Sequence, residues 1–414
     1  MKNQIFAVIT LLVIIQISTF AQDTTNTAPV QKPTEIIPQP PKETVKKKWY
    51  ESISMRGYTQ VRYNRLLETN PKLKCDQCDR SIGEGGGFFI RRIRLIFFGN
   101  VHERVYMYIQ PDLASSVSSG SLHWSQIRDA YFDLSLDKKK EFRLRIGQSK
   151  VPYGFENMQS SQNRIPLDRN DALNSAVANE RDLGVFFYWA PAKIRERFSW
   201  LVSSGLKGSG DYGVFGIGLY NGQTANRPEA NQNSHVVTRL SYPFKIGNQI
   251  IEPGVQAYQG MYNVKDVRSA GVKSEDNIID RRVAGSLMIY PQPFGFMAEY
   301  TIGEGPEYSP QTNSIDAKNL WGGYAMIMYN IKISDSHVII PFIRTQHYHG
   351  GKKHEMDARK YRVHEHEFGI EWQPIPNFEF VAMYTISDRV FEDSKNPVNQ
   401  QKGNLLRLQA QFNY

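Results

Sequence analysis

Beyond its N-terminus the 414-residue chain has no apolar run long enough to cross a membrane as a helix, and its mean hydropathy is −0.48. That excludes a helical membrane protein. It does not exclude a membrane β-barrel, whose strands alternate apolar with polar residues and so average out. Cysteine is nearly missing, with only Cys75 and Cys78 present. In an oxidising compartment an even pair this close reads most simply as one loop-stapling disulfide, and a metal site on two thiols lacks further ligands nearby. Catalytic signatures are missing too. There is no Gly-x-Ser-x-Gly elbow and no His-Glu-x-x-His pair, and the glycines of 83–87 precede a strand pattern and read as a flexible loop. No enzyme activity and no cofactor are expected.

What the chain does have is aromatics and positive charge: 22 Tyr, 22 Phe and a formal net charge of +9. Such a balance suits an anion-attracting surface or channel, or a nucleic-acid binder. Residues 1–21 read as a secretory signal. Lys2 supplies the positive start, Ile5 to Ile15 is apolar apart from Thr10, and Thr19-Phe20-Ala21 is a small-residue cleavage site before Gln22. Export argues against nucleic acid. No cysteine follows the cleavage point directly, so a lipid anchor is not expected. Residues 22–48 hold Pro29, Pro33, Pro38, Pro40, Pro41 and Lys46-Lys47-Lys48 and cannot bury a core. They are expected to form a periplasmic linker, either a solvated tether or an arm touching peptidoglycan or a partner.

From Trp49 to Tyr414 the pattern has period two. Ile53, Met55, Gly57, Thr59, Val61 and Tyr63 share one face; Ser54, Arg56, Tyr58, Gln60, Arg62 and Asn64 share the other. Candidate strands lie near 51–64, 88–100, 103–112, 125–136, 141–150, 182–190, 212–221, 235–244, 249–262, 279–290, 294–303, 319–331, 337–347, 362–373, 378–387 and 404–414. Short connections (101–102, 137–140, 245–248, 291–293, 374–377) alternate with long ones (65–87, 113–124, 151–181, 222–234, 263–277, 304–318, 348–361, 388–403). A sandwich has no reason to sort its loops by parity. An outer-membrane barrel does, with short periplasmic turns and long external loops. The expectation for 49–414 is therefore an all-β transmembrane antiparallel barrel of about 16 strands. Residues 192–210 fit badly, because a short turn there should not contain Phe198-Ser199-Trp200-Leu201-Val202. The last strand alternates Leu406, Leu408, Ala410, Phe412 and Tyr414 with polar residues, as a barrel-sealing strand would.

The segments Phe89-Ile90-Arg91-Arg92-Ile93-Arg94-Leu95, Asp129-Ala130-Tyr131-Phe132-Asp133 and Arg143-Leu144-Arg145-Ile146-Gly147-Gln148 through Tyr153-Gly154 come in order along the chain. Arg181-Asp182-Leu183-Gly184-Val185, Tyr220-Asn221-Gly222, Val237-Thr238-Arg239-Leu240-Ser241-Tyr242 and Ala298-Glu299-Tyr300 follow. Together they resemble the phosphate-selective porin O and P family from about Gly57 to Tyr414. The resemblance implies an outer-membrane channel in a Gram-negative cell, usually trimeric, with its third external loop, 151–181, folded into the lumen. Its partners would be small anionic or hydrophilic solutes and outer-membrane lipid. A non-conducting barrel serving as adhesin or assembly partner is the competing expectation, and a barrel hydrolase the third.

Charged side chains are costly on a lipid face, so strand arginines should point inward. Arg56, Arg62, Arg92, Arg94, Arg143 and Arg145, with Lys150, Arg164, Arg169 and Arg181 in and beside the long loop, are the expected anion path. Guanidinium groups also suit phosphate oxygens. The alternative is that these residues pair with Asp129, Asp133 and Glu299 and merely stabilise the lumen. Glu156, Asp168, Asp171, Glu180 and Asp182 make the loop mixed in charge, which favours a filter of size and moderate charge over a dedicated phosphate site.

Five of nine histidines fall at one hairpin: His347, His349, His354, His364 and His366. His347 with His349, and His364 with His366, share strand faces. If those strands pair, four imidazoles could meet at a metal such as zinc or copper. The alternative is an exposed, titratable external loop.

Overall fold

The computed structural model describes residues 48–67, 73, 86–113, 125–265, 267, 271–394 and 399–414. The expected leader, nearly all of the expected linker, and Cys75 and Cys78 lie outside the described residues. Sixteen long strands follow one another, each antiparallel to the next, around a single sheet, joined by three short strands of two or three residues (Phe244–Ile246, Lys273–Ser274 and Ile331–Lys332). They are β1 (Ile53–Leu66), β2 (Gly87–His102), β3 (Val105–Asp112), β4 (Gln126–Ser135), β5 (Phe142–Lys150), β6 (Arg181–Trp189), β7 (Phe215–Tyr220) and β8 (His235–Ser241). Then come β9 (Gln249–Tyr262), β10 (Ile278–Ile289), β11 (Phe294–Ser309), β12 (Ser314–Tyr329), β13 (Val338–Gly351), β14 (Lys360–Ile375), β15 (Phe378–Glu392) and β16 (Asn399–Asn413). β16 pairs back onto β1, with Tyr58 facing Asn413 and Leu66 facing Leu405, so the sheet has no free edge. Its register shifts between Gln60 and Val61, between Asn100 and His102, between Gln110 and Pro111, and between Trp372 and Ile375.

The two faces are inverted relative to a water-soluble protein. Gln60, Arg62, Asn64, Arg239, Glu252, Arg282, Arg344 and Gln411 are buried, while Val61, Phe132, Val185, Val283, Ile302, Ile343 and Phe368 are exposed on alternating positions. Apolar residues outside and hydrogen-bonded polar ones inside are what a lipid surround requires of a closed barrel.

Several expected loops are shorter than the sequence pattern implied. β11 and β12 pair to Ser309 and Ser314, so much of 304–318 is a continued hairpin. The 151–180 loop carries two short helices, α1 (Phe155–Met158) and α2 (Asp171–Asn174). The misfit at 192–210 is a third helix, α3 (Ala192–Ser203), and the strand count is unchanged. Ile194, Phe198 and Leu201 lie on one helical face and are buried, Ile194 and Phe198 beside Ala190 and Val214. That period of 3.6 stands in the sequence, but short apolar segments read equally well as strand.

Candidate pore constriction

The 151–180 loop leaves the wall between β5 and β6 and is held by side chains from strands all around the barrel. Gly154 adopts φ 78, a conformation open to glycine, and turns the chain into α1. There the backbone N–H groups of Phe155 and Glu156 donate to Glu299 of β11, at 2.5 and 2.9 Å. Glu156 accepts from Arg344 of β13 at 2.7 Å and from the Asn170 backbone N–H at 2.7 Å. Asn170 caps α2 by accepting from the Leu173 N–H at 3.1 Å. Asp171 takes Arg389 of β15 at 2.9 Å and also Lys352. Asp168 takes Arg62 of β1 at 3.3 Å and Arg407 of β16. Ser175 accepts from Arg282 of β10 at 2.6 Å. Burial alone would raise the Asp171 carboxyl, but Arg389 and Lys352 outweigh it and hold the group at about 2. Burial opposes ionisation of Asp168 and Glu180 likewise, and neighbouring cations keep both well below the usual carboxylate range.

Most of the ten basic residues expected on the anion path sit in ion pairs. Arg94 pairs with Asp112 at 3.0 Å, Arg145 with Asp133 at 2.7 Å and Arg143 with Asp211 at 2.7 Å. Lys150 and Arg169 each reach Glu180 at 3.3 Å, and Arg181 bonds Asp129 at 2.9 Å. Arg62 is on Asp168, as described. Asp129 and Asp133 are therefore taken by arginines, whereas Glu299 is taken by backbone N–H groups and the Tyr324 hydroxyl. Arg56 is exposed, with its guanidinium 5.2 Å over the Phe98 ring.

Arg92 and Arg164 differ from the rest. Arg92 is 4% exposed and, among the described residues, donates to the neutral Gln60 side chain, at 2.8 Å. Arg164 is 6% exposed and donates to the carbonyls of Pro166 and Leu167, at 3.2 and 3.4 Å. Neither has an ion pair among the described residues, and Nε of Arg92 and Nη1 of Arg164 are buried without a partner. The charged neighbours of Arg92 include Arg91, Arg94 and Arg164. Buried positive charge without a carboxylate is costly, and an anion in transit would relieve it.

Two further segments turn inward, and the sequence pattern did not show either. After α3 the chain runs through buried Leu206 and Lys207, and Lys207 reaches inward-facing Glu371 of β14 at 2.5 Å. Gln159 of the long loop donates to the Lys207 carbonyl at 2.8 Å. Leu201 and Leu206 join Phe155, Ile165 and Leu167 in an apolar cluster with Met288, Met297, Met326 and Met383 inside the wall. From the other end, the 352–359 loop places Lys352 on Asp171 and Lys353 on Asp280 of β10, and packs His354 against Tyr262 with a 3.1 Å hydrogen bond. Arg239, Arg282, Arg344, Arg389 and Arg407 also face inward, each in an ion pair. They occupy the polar parity of their strands, so the reasoning applied to Arg62 and Arg94 would have found them. No periodicity marks Lys207 or Lys352.

The hairpin histidines correct an expectation. β13 and β14 pair as anticipated, placing His347 opposite His364. However, the four imidazoles lie on the outward face of the strands, spread along them, with His347 and His364 stacked at 6.4 Å between ring centroids. Among the described residues no group of three or more His, Cys, Asp or Glu is placed to hold a metal ion. Zinc or copper would need converging ligands, and these are side by side. Nor are they loop residues; of the five histidines only His354 lies in the loop.

A family model described as phosphate-selective porin O and P matches residues 73–414. No curated protein matches the chain by sequence. Among solved structures, OmpF of Salmonella typhi in complex with daunomycin is similar with a TM-score of 0.55 at 10% identity, over 87% of this chain and 97% of that one. The outer membrane channel DcaP of Acinetobacter baumannii gives 0.52 at 13% identity, over 87% and 97%. The loop L8 deletion mutant of OmpT, an outer membrane protein of Vibrio cholerae, gives 0.51 at 9% identity, over 88% and 99%. At these identities the likeness is one of fold. A closed barrel of sixteen strands with an apolar exterior agrees with the family match, and the chain belongs to the phosphate-selective porin O and P family of outer-membrane channels.

Proposed function

We propose that the protein is a passive outer-membrane porin for small hydrophilic solutes, prefers anions, and works as a homotrimer. The constriction in this reading is the 151–180 loop, and the preference comes from Arg92 and Arg164. The observation that carries it is that neither has a carboxylate partner among the described residues, while seven of the other expected cations are in ion pairs. Paired arginines add little net field to a lumen, whereas unpaired ones attract anions and repel cations. Phosphate, the solute in the family's description, is one of the small anions that two guanidinium groups would suit. Trimerisation rests on the family resemblance alone.

A second reading, a barrel that does not conduct and serves as a surface or assembly protein, draws on the inward packing around Lys207 and Lys352. Reconstitution in a planar bilayer separates the two: stable conductance is expected, and its absence would sink the porin reading. In a salt gradient the reversal potential should be anion-selective. Replacing both Arg92 and Arg164 with Ala should move it toward zero, and an unchanged potential returns these residues to a structural role.

A further inference from the structure

The hairpin histidines remain unused by a channel mechanism, since they point away from the lumen. From their surroundings we infer that the outward face of β12–β14 binds the phosphate headgroup of an outer-leaflet lipid, whose acyl chain lies in the depression beneath the imidazoles.

The register builds the patch. Trp321, His349 and Arg362 are directly opposite one another on three adjacent strands, and Gly323, His347 and His364 form the row beside them. His364 and His366 are exposed, and His347 and His349 are half-buried. Trp321 stacks on His349 at 5.5 Å, and His347 lies 5.6 Å from both Trp321 and Tyr300. Further along the same strands the outward residues are Ile327, Ile343, Phe368 and Ile370, all exposed. The imidazoles therefore sit where an apolar band gives way to the external loops, beside Trp and Tyr, the aromatic pair that marks a lipid headgroup level.

The charge and shape fit a phosphate with a chain attached. Arg362 has no ion pair among the described residues. Lys402 is matched by Asp388 at 3.1 Å and Lys360 lies 3.9 Å from Glu307. Glu392 lies opposite Lys360 in the register. Arg362 is thus the basic group of this face without an ion pair among the described residues, and of the imidazoles His364 lies opposite Asp388 in the register. Next to them is an outward depression of about 510 Å³ lined by Gly285, Leu287, Ala298, Ala325 and Thr345, with Tyr300 and His347 as its wall. Small residues there leave room along the wall for a chain. Each basic residue near a membrane surface contributes roughly a fivefold preference for anionic lipid. Imidazoles join that count only when protonated. The charged groups facing them are Arg362, Lys360 and Lys402, opposed by Asp388 and Glu392.

The test uses the full-length protein in nanodiscs of phosphatidylcholine mixed with phosphatidylglycerol, with the retained lipid measured by native mass spectrometry. Phosphatidylglycerol should be enriched, more so at about pH 5.5 than at about pH 7.5. Arg362→Gln should reduce that enrichment roughly fivefold, and His347→Gln/His364→Gln should remove its pH dependence. Single-channel conductance should not change, because no lumen residue is touched, and gel mobility of the unheated barrel verifies folding. Equal enrichment in parent and variants overturns the inference. So does loss of the oligomer in the variants, which would make this face a contact between copies.

Discussion

Lys207 offers the sharpest test of how the interior is closed. Its ammonium and the Glu371 carboxylate are 3% and 0% exposed and 2.5 Å apart. Burial would lower the Lys207 ammonium, but Glu371 outweighs it and raises the group above its ordinary value. Lys207→Met leaves Glu371 buried with only the Gln373 side chain to donate to it. Stranding one member of a buried pair costs about 3–5 kcal/mol. Next to Lys207 the hold is otherwise Leu206, whose burial contributes about 2 kcal/mol, and the Gln159 bond at about 1 kcal/mol, while Asp211 farther along is fixed by Arg143 and Arg195. The loss equals or exceeds the hold next to Lys207, so the stretch around Leu206 and Lys207 should withdraw from Glu371 while Asp211 stays on Arg143 and Arg195 and the sixteen-strand wall stays intact. Single-channel recording should then show a larger unit conductance for Lys207→Met than for the parent. Replacing both partners, as Lys207→Met/Glu371→Leu, removes the stranded charge and should bring the conductance back toward the parent value, since apolar replacement of a buried pair is often neutral. Equal conductance of parent and Lys207→Met, with unheated gel mobility unchanged, would refute this account.

Three further outcomes follow from the same structure. His354 is buried beside Lys353, and burial first, then that charge, holds its imidazole well below the ordinary value. Its neutral form is thus favoured in the folded state, and the stabilisation is present above about pH 6.5 and lost as pH falls below it. Hydrogen exchange in 352–359 should quicken on acidification, with Lys353, Arg227 and Asp280 as the charges facing the ring, and His354→Leu should abolish the pH dependence. Asp171, held at about 2, contributes stability above about pH 4 that is lost as pH falls towards 2. Asp171→Ala should strand Arg389 and Lys352 and speed exchange throughout α2 already at neutral pH. In α3, Phe198→Ala should cost about 3–5 kcal/mol of folding stability in denaturant titration. Trp200→Ala, on the exposed side, should stay within about 0.5 kcal/mol.

Period two, loop parity and the polar faces of β1, β2 and β5 are local properties, and they determined the barrel, its strand number and the inward aim of Arg62, Arg94 and Arg145 from the sequence alone. A strand's alternation assigns each side chain to one of two faces, and lipid decides which face is which. It does not say what meets a side chain across the lumen. Only the tertiary structure brought Asp168 to Arg62 and Arg407, Asp171 to Arg389 and Lys352, and Glu371 to Lys207, pairs separated by 106 to 239 positions in the chain. The tertiary structure likewise separated Arg92 and Arg164 from arginines that look the same in the sequence, because the charge left on a site depends on which partners closure of the barrel brings to it. The histidines show the same limit from outside. Their spacing put them on shared strand faces, but only the closed barrel turned those faces toward the membrane.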